Sequence, residues 1–211
     1  MAKLIYDGSE AFSNKVTDFN SKFIPLDGAS AVGCMIDIDV AVPSAVVCAS
    51  ATDITHGSDL FTKAHDFTTG LKVQVTTSSA LPTGLSLATD YFVIVVDAGV
   101  SFKVASSYAN AIAGTPVDIT NNGTGNQTFT PVAISATYAV QVSPTDASLA
   151  AGKWANVASP TAITADTTVM PVTAANQLGV LGFKYMRYAF TITAGRINAT
   201  VYTHAHSDAE S

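Results

Sequence analysis

Val32-Gly33-Cys34-Met35-Ile36-Asp37-Ile38-Asp39-Val40 is the stretch that decides how the rest of the chain is read. Its second half alternates strictly. In an extended chain Ile36, Ile38 and Val40 fall on one side, and Asp37 and Asp39 on the other. That period of two belongs to a strand buried on one face and wet on the other. Working outward, the same signature recurs with turn residues between the runs. Leu71-Lys72-Val73-Gln74-Val75 follows Thr69-Gly70, and Tyr91-Phe92-Val93-Ile94-Val95-Val96 follows the Leu81-Pro82-Thr83-Gly84-Leu85 turn. Ser101 to Val104, Val117-Asp118-Ile119 and Thr128 to Thr130 continue the series, the last two flanking the turn-rich Asn121-Asn122-Gly123-Thr124-Gly125-Asn126. Thr137 to Val142, Val157 with Trp154, Met170 to Val172, Lys184 to Thr193 and Ile197 to Thr203 follow toward the C-terminus. Gly195 between the last two predicts a hairpin. A single short helix is expected over Ser106 to Ile112. No heptads and no 20 to 50 residue repeat appear, so the fold class read from the sequence is all-β, a sandwich or barrel.

Composition narrows the function classes. The 211 residues are 48% hydrophobic and 12% charged, with a net charge of −6. The charged share is about half that of an ordinary globular domain, and such a surface suits a protein packed against copies of itself or a lattice. Ten basic residues lie scattered without a run; nucleic-acid binding needs them clustered to displace counterions from phosphates, so no nucleic-acid partner is expected. No apolar run approaches the roughly 20 residues of a membrane span, and Met1-Ala2-Lys3-Leu4-Ile5-Tyr6-Asp7 turns polar too early for a secretory signal. The expectation is a soluble chain with no membrane partner, made in a cytoplasm.

Two stretches carry a resemblance. The segment from about Ile54 to Phe129 contains Phe61 to Gly70, Leu81 to Ser86, Thr89 to Ile94 and Phe102 to Ala105, leading into Ala109-Asn110-Ala111, and closes with Gly123-Thr124-Gly125. In that order these features resemble a small β module of tailed-bacteriophage structural proteins. Tyr138 to Ser143 followed by Lys153 to Val157, and Tyr185 to Tyr188 followed by Thr191 to Gly195, are similar to strands of phage virion β-sandwiches. The longer Pro144 to Gly152 loop replaces their usual aspartate-glycine turn. The resemblance implies a virion component. The expected organisation is an N-terminal arm over 1–21, a β-sandwich from 22–50 plus 133–206, an inserted β module over 51–132 and a flexible tail over 207–211. This segment, with Phe12, Val16 and Phe19 apolar, is expected to form either a turn or two of helix or an extended arm that docks on a neighbouring subunit. The expected function is capsid decoration: binding the major capsid protein on the exterior of the phage head, as a homotrimer. The alternative is a tail or fibre component that binds a host glycan.

Residues with chemical potential each have a plain structural role to weigh against it. Asp37 and Asp39 share a strand side and could be half of a carboxylate pair, but the wet face of the strand accounts for both. His204 and His206 share a side and would make two ligands of a metal site shared around a threefold axis, with no third ligand nearby. His56 and His65 stand alone in turns. The glycines at 123 and 125 lack the lysine and helix of a phosphate loop. Tyr185, Tyr188, Trp154 and Tyr202 could form a sugar-stacking face or pack as core. Cys34 and Cys48 read as buried thiols, with a bond between them open if neighbouring strands carry both. Asn122, Asn126 and Asn198 are formal glycosylation sequons, unmodified in a bacterial host. No catalytic residue, no metal ligand and no cofactor is assigned.

Overall fold

In the computed structural model, residues 3–26, 29–40, 42–144, 154–172 and 183–207 are described. They divide into two compact units, one formed by Met1–Ala41 with Ile134–Ser211 and the other by Val42–Ala133. The chain is all-β, with antiparallel pairing throughout the named strands and one five-residue α-helix.

The first unit holds two sheets. One contains β1 (Lys3–Lys15), β17 (Ile197–Ser207), β4 (Ala31–Asp39) and β15 (Thr167–Val169), in that order. The other contains β13 (Ala155–Asn156), β12 (Ser135–Ser143), β16 (Tyr185–Ala194) and β2 (Phe19–Asn20), with β14 (Thr161–Ile163) on β12 and β3 (Ile24–Pro25) on β16. The sheets are held together by one core. Val32, Cys34, Ile36 and Ile38 of β4, with Ile197, Ala199 and Val201 of β17, pack with Tyr138, Val140 and Val142 of β12 and Met186, Tyr188 and Phe190 of β16. The alternation read from Val32 to Val40 is realised: Ile36 and Ile38 are 0% and 1% exposed, while Asp37 and Asp39 face out.

Four sequence expectations change here. Residues 3–15 are neither helix nor an arm reaching another subunit, because β1 pairs along its length with β17 of the same chain. Tyr6 and Phe12 pack against the core, so the apolar residues of this segment are used at home. The expected hairpin at Gly195 is a crossing between sheets: β16 pairs with β12, and β17 pairs with β1 and β4. Ala194, Gly195, Arg196 and Ile197 are buried in succession, as a chain passing over the rim of a sandwich requires and an exposed hairpin tip does not. Met170 to Val172 and Val117 to Ile119 are not strands, since pairing stops at Val169 in the first case and no strand covers the second. The loop 145–150 and tail residues 208–211 lie outside the described residues.

The second unit is a seven-stranded sheet in the order β5 (Val46–Ala49), β11 (Asn126–Pro131), β8 (Lys72–Thr77), β9 (Asp90–Asp97), β10 (Ser101–Ala105), β7 (Leu60–Thr62) and β6 (Ile54–Thr55). Its centre is aromatic: Phe61, Phe102 and Phe129 meet with ring centroids 4.7 to 5.4 Å apart, and Phe67 joins Phe102 edge-on. The helix α1 (Tyr108–Ile112) starts where the Ser107 hydroxyl accepts the Asn110 N–H and buries Ala111. The unit begins at Val42 rather than residue 51, because β5 pairs with β11, Val46 opposite Phe129. That pairing sets the unit's first and last strands side by side, the geometry that lets a module sit within a loop of another fold at little entropic cost.

Candidate functional site

The residues singled out in the sequence are dispersed by the fold, and most are engaged locally. Asp37 accepts a hydrogen bond from the Thr168 hydroxyl at 2.8 Å, and Asp39 from the Asn198 amide at 3.0 Å. Beside them Asp166 accepts the Val40 N–H at 2.7 Å. His204 and His206 do share the outer side of β17, and His204 Nδ1 lies 3.0 Å from an Asp7 carboxylate oxygen. Among the described residues no group of three or more His, Cys, Asp or Glu is arranged to hold a metal ion.

In the second unit the histidines serve turns. The Asn122 side-chain oxygen accepts the His56 backbone N–H and lies 2.9 Å from His56 Nδ1. His65 Nδ1 accepts the Phe67 N–H at 3.0 Å, which puts the proton of the neutral ring on Nε2, a buried atom with no partner among the described residues. Gly123, at φ +67°, sits against the backbone of Ala80 to Pro82, where a Cβ would come within 2.8 Å of the Leu81 carbonyl carbon. The glycine therefore serves a close chain approach. Asp53 ties the 49–53 turn to Lys63: it accepts the Ala49 N–H at 2.9 Å and the Lys63 ammonium at 2.8 Å. The Lys63 hydrogen bond, then that from Ala49, pull its carboxyl down to about 2.

The two cysteines are free and buried, one in each unit. Burial pushes Cys48 up to about 12 and raises Cys34 as well. Cys34 accepts the Val172 N–H at 3.2 Å. It also borders a polar island that the sequence did not reveal. The Tyr188 and Thr203 hydroxyls are buried near it, each without a well-formed hydrogen bond among the described residues, and burial raises the Tyr188 phenol. The signal for it was present as polar side chains at inward positions of β16 and β17, but inwardness depends on the partner sheet.

The aromatic face does not form as a set of four. Tyr188 is fully buried, and Tyr202 lies on β17, in the other sheet from Tyr185 and Tyr188 on β16. Trp154 instead meets Phe23, with ring centroids 5.4 Å apart, and the Arg187 guanidinium lies 4.4 Å from its ring centre. Arg187 donates through Nε to Gln141 at 2.8 Å, and Gln141 donates to Asn156 at 3.0 Å. Partial burial lowers the Arg187 pKa. Phe23 and Arg187 were missed because they are distant in sequence and meet only when β3 pairs with β16. A small hollow of about 110 Å³ lies nearby, lined by Tyr138, Ala139, Val140, Val157, Ser159 and Pro171 among others. It is bordered by aliphatic and hydroxyl groups.

The fold and its surface thus define a class: an all-β protein of two units, one a sandwich, in which the polar side chains singled out serve turns and strand faces. No protein family matches the chain, and no curated protein does. Among solved structures, similarity is found to VP17, a capsid protein of bacteriophage P23-77, at 9% identity and a TM-score of 0.23, over 98% of this chain and 99% of that one. The VP16-VP17 complex of the two major capsid proteins of bacteriophage P23-77 aligns at 10% identity and a TM-score of 0.22, over 95% and 99% of the chains. Scores of that size do not establish a shared fold, so the class rests on the chain's own sheets.

Proposed function

We propose that the chain is a structural, non-enzymatic protein of a tailed-phage particle, and specifically a decoration protein that binds the major capsid protein on the exterior of the head. The observation that carries this reading is the outward surface of the sandwich unit. Met170, Met35, Tyr202 and Phe23 are 70%, 39%, 37% and 43% exposed. Large apolar side chains held out by rigid strands are what a subunit contact uses. The low overall charge and the phage-like strand order of the sequence support it. A shell strained by packaged nucleic acid gains from added contacts between capsomers, and many copies of a modest interface multiply the effect. The test is direct: purified protein is mixed with expanded, undecorated capsids, and binding is followed by co-sedimentation and electron microscopy. Stoichiometric density on the outer surface is the expected outcome. Capsids that stay bare at saturating protein overturn the proposal.

A further inference from the structure

The two outer faces of the sandwich unit differ in charge and match in apolar content. On the outside of the first sheet, Met35 of β4 pairs with Tyr202 of β17, and Met170 follows β15 at the position that continues the register toward Met35. Next to this apolar row stand Asp37, Asp39 and Asp166, whose hydrogen bonds come from a hydroxyl, an amide and a backbone N–H. Each of these donors is neutral, and no described basic residue lies within ion-pair distance of the three carboxylates. On the outside of the second sheet, Phe23 and Trp154 supply the apolar surface and Arg187 the charge. Among the described residues, the Arg187 guanidinium makes one hydrogen bond, from Nε to Gln141, and no carboxylate lies within ion-pair distance of it.

We infer that copies of the chain associate head to tail, the Phe23–Trp154–Arg187 face of one copy seating on the Met35–Tyr202–Asp37–Asp39 face of the next. Packing either face on itself sets like charges together. Packing one on the other gives the guanidinium its carboxylates, bidentate recognition being what arginine does best, and buries aromatic rings against methionine and tyrosine. Two different surfaces in contact make a heterologous interface, which closes into a ring when the rotation between copies permits. Strands spaced about 4.8 Å apart, nine or more residues long at about 3.3 Å each, give a flat face of roughly 15 by 30 Å. Two such faces bury about 900 Å² before side-chain relief, below the roughly 1,200 Å² of a stable interface and in the range of a weak, reversible one. The inference does not depend on capsid binding, because it is read in the purified chain alone.

The experiment is sedimentation velocity on the full chain and on two variants, R187Q and the double variant D37N/D39N. The asparagines keep the shape of the aspartates and remove their charge, and R187Q removes the guanidinium with its charge. Wild type is expected to form oligomers that dissociate as salt is raised, since the charges sit at the surface. Each variant alone is expected to self-associate about tenfold more weakly or worse. Mixing the two variants is expected to give a 1:1 complex that grows no further, because each retains the one intact face that the other needs. A monomeric wild type, oligomers indifferent to both variants, or a mixture without the 1:1 complex would each overturn the inference. Circular dichroism controls for folding, and D37N/D39N alone, on the wet side of β4, reads the same contact should R187Q fail to fold.

Discussion

At the scale of single residues, the groups with altered ionisation are structural. Cys48 is 0% exposed with its thiol pushed up to about 12, and Cys34 is raised by burial as well. The thiolate is the reactive form, so both are expected to resist a thiol-reactive chromophore in the native protein and to react, two per chain, in denaturant. Fast native labelling of either would contradict their burial. Asp53 works in the opposite sense. Its carboxyl lies at about 2 in the folded chain against an ordinary 3.8, so between those values the unfolded chain binds more protons. Its contribution is fully present above about pH 4 and is lost as pH falls from there toward 2. Asp53→Ala is expected to cost about 1–2 kcal/mol at neutral pH through the lost hydrogen bonds, and the gap to wild type in denaturant titrations should close as pH approaches 2.

At the scale of elements, the corner between β16 and β17 shows what a strand pattern leaves open. Each strand alternates cleanly, and a glycine separates them, which is also what a hairpin looks like. The distinction lies in partners. Gly195, at φ +83°, turns the chain from one sheet into the other, and a Cβ there would lie 2.8 Å from Ile134 Cα. Gly195→Ala therefore meets both a backbone conformation that L-residues rarely adopt and an overlap with main chain. A loss of about 2–4 kcal/mol is expected in equilibrium unfolding; a change under about 0.5 kcal/mol, the range of a neutral surface substitution, would show that the corner has room. The N-terminal strand teaches the same lesson. Tyr6 and Phe12 stand too far apart for the sequence to name their partner, and the backbone of β17 supplies it.

At the scale of the whole molecule, the two units carry separate cores, a mixed aliphatic and aromatic one between two sheets in the first and a phenylalanine cluster in the second. Because β5 and β11 lie side by side, the second unit contains all the pairing it needs. A polypeptide of residues 42–133 alone is expected to fold, with a β-type circular dichroism spectrum and a cooperative thermal transition. Phe102→Ala in the full chain, at a residue with no exposed surface touching three aromatic rings of its unit and His65, is expected to lower that unit's stability by about 3–5 kcal/mol. Fluorescence of Trp154, in the other unit, should report the second transition unshifted; a shared shift would mean that the units unfold as one.

The sequence by itself determined the strand character of β4, β8 to β12, β16 and β17, and which side of β4 would be buried. Those properties follow from alternation along a single strand: Ile36 and Ile38 in, Asp37 and Asp39 out. It also determined the short helix after Ser107 and the turn service of Gly123, which depend on neighbours a few residues away. Only the tertiary structure decided that β1 closes onto β17, that Gly195 changes sheets, that β5 belongs with β11, and that Phe23, Trp154 and Arg187 meet on one face. The physical reason is that pairing between strands is made by main-chain N–H and C=O groups, which are the same in every residue. The partner is therefore selected by how all the buried faces fit together at once.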